Sequence, residues 1–304
     1  MATQPTITTT YAGQFAGEYI GAALLSGNTL ANQLITIKPN IKLKEVIKKV
    51  DYASAIAAGT CDFTSAGTVT LTERILQPDE LQVNLELCKT PFQSDWEAES
   101  MGYSAHDAMP PKFSDFFIAR LSADVAQGTE QRIWGADGFN GLFTAAAFAA
   151  EGGFTIAPAA VDAANVVTEL GKVVDAINSS LYGKDDLFIY VSQNVWRAYK
   201  RALGGFQANG VGANGFDTRG NNQDIDIQYF DGVKVVVANG FVDNRMVAAE
   251  KTNLFFGTGL LNDQNEVKVL DMADLDGSKN VRFVMRYTAG VQYGIASDIV
   301  FYGA

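Results

Sequence analysis

The chain has 304 residues, 47% hydrophobic and 19% charged, which excludes a disordered protein and allows one large core or two modest ones. Its net charge of −11 argues against a protein that grips nucleic acid through phosphate contacts. No apolar run approaches the roughly 20 residues of a membrane helix, and two cysteines, Cys61 and Cys88, are too few for a disulfide framework.

The first 36 residues are rich in Thr, Ala and Gly, with a short amphipathic piece at 16–27 (AGEYIGAALLSG). They read as a frayed terminus or as an arm that packs on something else. They carry neither the basic start nor the apolar run of a secretion signal, so the chain is expected to be made and kept in cytoplasm.

From 41 to 89 the pattern turns to strand. IKLKEVIKKVDYA (41–53), VTLTERIL (69–76) and LQVNLELC (81–88) alternate, and small residues fill 54–67 between the first two. The spacing predicts a long two-stranded projection. A hairpin standing alone is marginal in water, so something is expected to lie under it. Its stem is basic: residues 37–49 hold Lys38, Lys42, Lys44, Lys48 and Lys49 against Glu45, five charges against one, a local +4 that leaves −15 on the rest. Two readings stay open: a basic arm that pairs with the acidic body of another copy, or a solvated strand whose lysines protect its edge.

Pro110 and Pro111 introduce the strongest helix, 114–135, with Ser114 as N-cap and Gly135 as stop. Phe117, Leu121 and Val125 recur at four-residue spacing. At 1.5 Å per residue it is about 30 Å long, a spine. Residues 161–203 read helix (161–181), strand (LFIYV, 187–191) and helix, the last with Ser192 as N-cap. After a Gly/Asn-rich loop (204–223), Asp231-Gly232 marks a tight hairpin with a primed turn. RMVAAE, NLFFG, NEVKVLDM, NVRFVMRYTAG and DIVFYG read as short strands. The class is α+β, mostly antiparallel, without the steady alternation of a parallel sheet.

The residues that carry chemistry elsewhere are weakly placed here. Asp271, Asp274 and Asp276 cluster in DMADLDGS, yet aligning Gly277 as the invariant glycine of an EF-hand puts Met272 and Phe283 at ligand positions. A turn with solvated carboxylates is the expectation. Gly210, Gly212 and Gly215 form a GxGxxG, but a helix precedes it and a polar loop follows, the reverse of a dinucleotide site. His106 is the one histidine, with no nucleophile elbow in the chain, and the cysteines lack paired zinc spacing. Trp134 and Trp196 read as core or interface, and Trp96 as a cap on the hairpin base. No catalytic, cofactor or metal residue is expected, and the chain is read as no enzyme.

Arm, hairpin, spine helix, helix–strand–helix unit and closing strands come in an order that resembles the major capsid proteins of tailed bacteriophages, the Hong Kong 97-like fold. Residues 67–92 (GTVTLTERILQPDELQVNLELCKTPF) resemble the descending arm of that family's extended loop and its entry into the peripheral domain, and 187–203 (LFIYVSQNVWRAYKRAL) its axial strand and helix. Residues 231–261 followed by 281–303 are similar to its C-terminal half. The resemblance implies an N-terminal arm (1–40), an extended loop (41–90), a peripheral domain (91–160 with 262–304) and an axial domain (161–261). It implies pentamers and hexamers that tile an icosahedral shell around double-stranded DNA, held without sequence-specific binding. Partners would be further copies of the chain, a portal, and a separate scaffolding or decoration protein; no membrane takes part. The place would be the virion, assembled in the host bacterial cytoplasm. Lys42, Lys44, Lys48 and Lys49 are the candidate assembly-interface residues. The alternatives are an encapsulin-like cargo compartment of the same fold and, from another class, a hydrolase built on scattered carboxylates.

Overall fold

The computed structural model describes residues 28–53, 61, 68–88, 111–203, 228–259 and 268–303. The expectations for 16–27, Trp96, His106 and the 210–215 glycine pattern lie outside the described residues.

In chain order the first elements are α1 (Asn28–Ala31), β1 (Thr36–Lys38), β2 (Glu45–Ala53), β3 (Thr68–Leu76) and β4 (Asp79–Cys88). Then come α2 (Pro111–Trp134), α3 (Phe139–Thr144), α4 (Ala146–Ala150), β5 (Phe154–Ile156), α5 (Val166–Asp175), β6 (Leu187–Val191) and α6 (Gln193–Ala202). The last are β7 (Gln228–Phe230), β8 (Val233–Val237), β9 (Met246–Glu250), β10 (Leu254–Gly257), β11 (Lys268–Asp271), α7 (Ala273–Asp276), β12 (Asn280–Tyr293) and β13 (Val300–Tyr302). The chain folds into two compact units, 1–26 with 79–128 and 259–289, and 27–78 with 129–258 and 290–304.

The larger unit is built on a six-stranded sheet in the order β5-β13-β9-β6-β8-β7. It is mixed: β5 lies parallel to β13 and β6 to β8, and the other neighbours are antiparallel. LFIYV is apolar on both faces and VKVVV is so but for Lys234, which suits inner strands covered on both sides. Helices α5 and α6 lay Val166, Leu170, Val173, Val195, Trp196 and Tyr199 on this sheet, against Ile189, Val235 and Ala248. The β7–β8 turn has the two positive φ values that a primed hairpin demands, 48° at Asp231 and 79° at Gly232. Ser192 occupies the N-cap position of α6, but its hydroxyl donates to the Asn194 side chain at 2.6 Å and leaves the helix amides alone. A second core is aromatic. The Trp134 ring packs on Phe139, Tyr190 and Phe241 with centroids 4.5–5.2 Å apart.

The same unit holds β1 parallel to β10, β10 antiparallel to residues 290–293 of β12, and the ribbon β2–β3. Helix α2 begins at Pro111, ahead of the expected Ser114, because proline suits a first helical position where no amide partner is needed. It ends at Gly135 as expected, whose amide donates to the Gln131 carbonyl at 2.7 Å.

In the smaller unit, residues 280–289 of β12 lie between β4 and β11, antiparallel to both. Leu87, Val281 and Phe283 form its core with Leu121 of α2. Strand 81–88 is an integral sheet strand, paired from Asp79 to Cys88 with β12. Alternation identifies a strand but not its partner.

Candidate assembly surface

Strands β2 and β3, nine residues each, run antiparallel from Glu45↔Leu76 to Ala53↔Thr68. Among the described residues they pair with no further strand. Opposed residues in an antiparallel pair share a face. One face therefore carries Val46 with Ile75, Lys48 with Glu73, and Val50 with Leu71. Val46, Val50, Val69, Leu71, Ile75 and the preceding Leu43 are all between 43% and 70% exposed. Two-stranded ribbons do not normally spread apolar side chains into water, since isolated they are marginal. The other face is mixed: Arg74 opposes Ile47, and Thr72 opposes Lys49.

The predicted lysines do not gather. Lys42, Lys44 and Lys48 are exposed and Lys49 half-buried, and adjacent Lys48 and Lys49 point to opposite faces of the ribbon. Lys48 stands opposite Glu73, an arrangement of unlike charges that supports the pairing. Lys38 is ion-paired with Glu45 and lies 5.5 Å from the centroid of the Phe255 ring. The apolar face went unread because each strand alternates legibly, while the register that stacks Val50 on Leu71 is set between the two strands. Counting outward from the centre of 54–67 was the available signal.

The ribbon is rooted in packed side chains. Ile41 and Leu76 are buried over Gly257, where an added Cβ would come within 2.9 Å of Ile41 and 3.0 Å of Leu76. Glycine lets the two side chains settle on the β10 backbone.

A second rooted point lies where the N-terminal segment enters. Asn28 donates to the Val237 carbonyl at 2.6 Å, and the Tyr190 hydroxyl to the Leu34 carbonyl at 2.6 Å. The Thr29 amide and hydroxyl donate to the two oxygens of Glu130 at 2.6 and 2.8 Å, and the Trp134 indole donates to the Thr29 hydroxyl at 2.8 Å. Burial pushes the Glu130 carboxyl above the ordinary range, while the bonds from Thr29 and Leu30 pull the other way. No local pattern in the sequence marks Glu130 or Thr29, since the pair joins residues far apart in the chain.

The remaining acidic groups have structural partners. Asp271 accepts from the Ala273 amide at 3.1 Å and Asp276 from the Ser278 amide at 2.9 Å, and bonds from Ser278 hold the Asp276 carboxyl below its usual range. They finish the turn around α7; the Asp274 side chain lies outside the described residues. Buried Glu169 accepts from Lys172 at 2.8 and 2.9 Å and from the Tyr302 hydroxyl at 2.8 Å. The Lys172 bond holds its carboxyl low against the opposing effect of burial. This network ties α5 to β13. Among the described residues no group of three or more His, Cys, Asp or Glu is placed to hold a metal, and no helix is long and apolar enough to cross a membrane. Trp134 and Trp196 are both core residues.

The sequence matches no protein-family model and no curated protein. The fold does find counterparts among solved structures. The capsid of a native GTA particle, computed with C5 symmetry, aligns over 95% of this chain and 94% of its own, at TM-score 0.61 and 14% identity. A Gordonia phage Cozz chain aligns over 99% of both, at 0.58 and 13%. The capsid of cyanophage P-SCSP1u aligns over 97% of this chain and 93% of its own, at 0.57 and 12%. The chain shares the α+β fold of these structures.

Proposed function

We propose that this chain is a major capsid protein of a tailed bacteriophage, which assembles with its own copies as pentamers and hexamers into an icosahedral shell around double-stranded DNA. The observation that carries the reading is the ribbon: a rooted two-stranded projection that turns a row of valine, leucine and isoleucine to solvent. Covering such a face yields about 25 cal/mol per Å² of apolar surface removed from water. A second copy supplies the cover, and each contact need only be weak, because a closed shell makes many at once. The likeness to a GTA capsid with C5 symmetry along nearly the whole chain supports the same reading.

In this reading residues 1–40 are the arm, rooted at Thr29, and the β2–β3 ribbon is the extended loop. Strand β4 opens the peripheral domain, and the six-stranded sheet forms the axial domain. Lys48 stands on the apolar face, Lys49 on the opposite one, and Lys42 and Lys44 precede β2; the four meet the acidic body of a neighbour. The net charge of −11 leaves enclosed DNA unbound by the wall. A portal and a separate scaffolding or decoration protein complete the particle. The test is expression of the chain by itself, then with its neighbouring genes, followed by sedimentation and electron microscopy. Closed shells or free pentamers and hexamers are expected. A compact monomer under every salt, concentration and co-expression tried overturns the proposal.

A further inference from the structure

The ribbon leaves the body at a fastened point. The Arg74 guanidinium of β3 lies 3.9 Å from the centroid of the Tyr293 ring and is ion-paired with the Glu151 carboxylate. The Tyr293 hydroxyl donates to the same Glu151 oxygen at 3.2 Å, so the three side chains close a ring of contacts. One residue further along β3, the Gln292 side chain donates to the Ile75 carbonyl at 3.0 Å. An added Cβ at Gly290 would stand 2.8 Å from the Gln77 carbonyl oxygen and from Pro78 Cα, so the chain leaving β3 lies directly on the β12 backbone. The support is itself rigid. Tyr293 is buried, with the rings of Phe143 and Phe148 at centroid distances of 5.8 and 5.5 Å.

We propose that Arg74, Glu151 and Tyr293 form a latch that fixes the direction in which the β2–β3 ribbon leaves the body of the free subunit, and so presents its apolar face to a second copy in one orientation. The role of a second copy rests on the capsid reading; the latch does not. A planar guanidinium stacked on a ring and held by a carboxylate restrains rotation as well as distance, which an ammonium cannot do. Nine residues at about 3.3 Å each make a lever of about 30 Å, so a tilt of about 10° at the base moves the far end by about 5 Å. Fixing the direction before assembly removes an ordering cost that each contact would otherwise bear.

The test reads the direction in the unassembled chain. Spin labels at Thr70→Cys and Ser179→Cys, with Cys61 and Cys88 replaced by serine, report the ribbon-to-body distance by pulsed electron spin resonance. The parent is expected to show one narrow distance. Arg74→Ala and Glu151→Gln should each lose it to a broad distribution, and Arg74→Lys should fall between. A broad distribution in the parent, or a narrow one retained in Arg74→Ala, overturns the latch. Assembly is scored separately. A ribbon that is loose in Arg74→Ala and still assembles at the parent concentration overturns the link to presentation. Failure of the parent to assemble under every salt, concentration and co-expression tried removes the capsid reading and leaves the distance result to judge the latch.

Discussion

Strands β2 and β8 use nearly the same vocabulary, EVIKKVDYA and VKVVV, and meet opposite fates. In β8, Val233, Val235 and Val237 are buried between β6, β7 and the helices α5 and α6. In β2, Val46 and Val50 stand in water beside Leu71 and Ile75 of β3. A β-branched residue favours the extended backbone in both places, yet burial depends on what arrives to cover it. The six-stranded sheet finishes itself within one chain. The ribbon leaves its apolar row exposed.

That contrast can be broken by mutation. The largest effect is expected from Leu71→Asp combined with Ile75→Asp: assembly is lost in sedimentation, while urea unfolding of the subunit stays within about 0.5 kcal/mol of the parent, as for other exposed positions. A subunit that unfolds would place those residues in a core. The reverse substitution is Leu170→Ala on α5, which should cost about 2–5 kcal/mol of subunit stability through the cavity it leaves, measured by chemical denaturation.

The two buried carboxylates sharpen the contrast through pH. Glu169 has a folded pKa below its unfolded one, so its contribution is present above the ordinary carboxylate range and is lost as pH falls through the folded value. Glu130 is shifted up, so its folded form binds a proton more readily, and its effect on stability improves as pH falls through the raised value. Melting temperature against pH should therefore lose part of its acid-side decline in Glu169→Gln, and lose part of an opposing rise in Glu130→Gln. Parallel curves for parent and variants would refute both assignments.

The smallest effect is reserved for charge. Reversing Lys42, Lys44, Lys48 and Lys49 to glutamate should leave subunit stability within about 1 kcal/mol, the scale of cross-strand charge pairs such as Lys48 with Glu73. Assembly measured by light scattering should weaken, most strongly at low salt where screening is least. Unchanged assembly at low salt would leave the apolar face as the part of the ribbon that binds.

Much of the fold was legible before any coordinates. The spans of β6, α6 and the β7–β8 turn follow from LFIYV, from Ser192 before an amphipathic run, and from Asp231-Gly232, because each depends on neighbours within a few residues. Strand β4 was legible as a strand, but not its pairing with β12. The lysines of the stem were legible as charge, but the apolar face needed a register. Glu130, Thr29, Arg74 and Tyr293 carried no signal at all, being ordinary polar and aromatic residues whose partners lie far along the chain.

The sequence by itself determined most of the longer elements, the β7–β8 turn and the class, since these rest on local backbone preference and on the period of apolar residues. Only the tertiary structure decided which strands pair, which valines are covered, and where the arm and the ribbon are rooted. Those outcomes depend on contacts between residues distant in the chain, and alternation within one strand holds no record of the strand that will lie beside it.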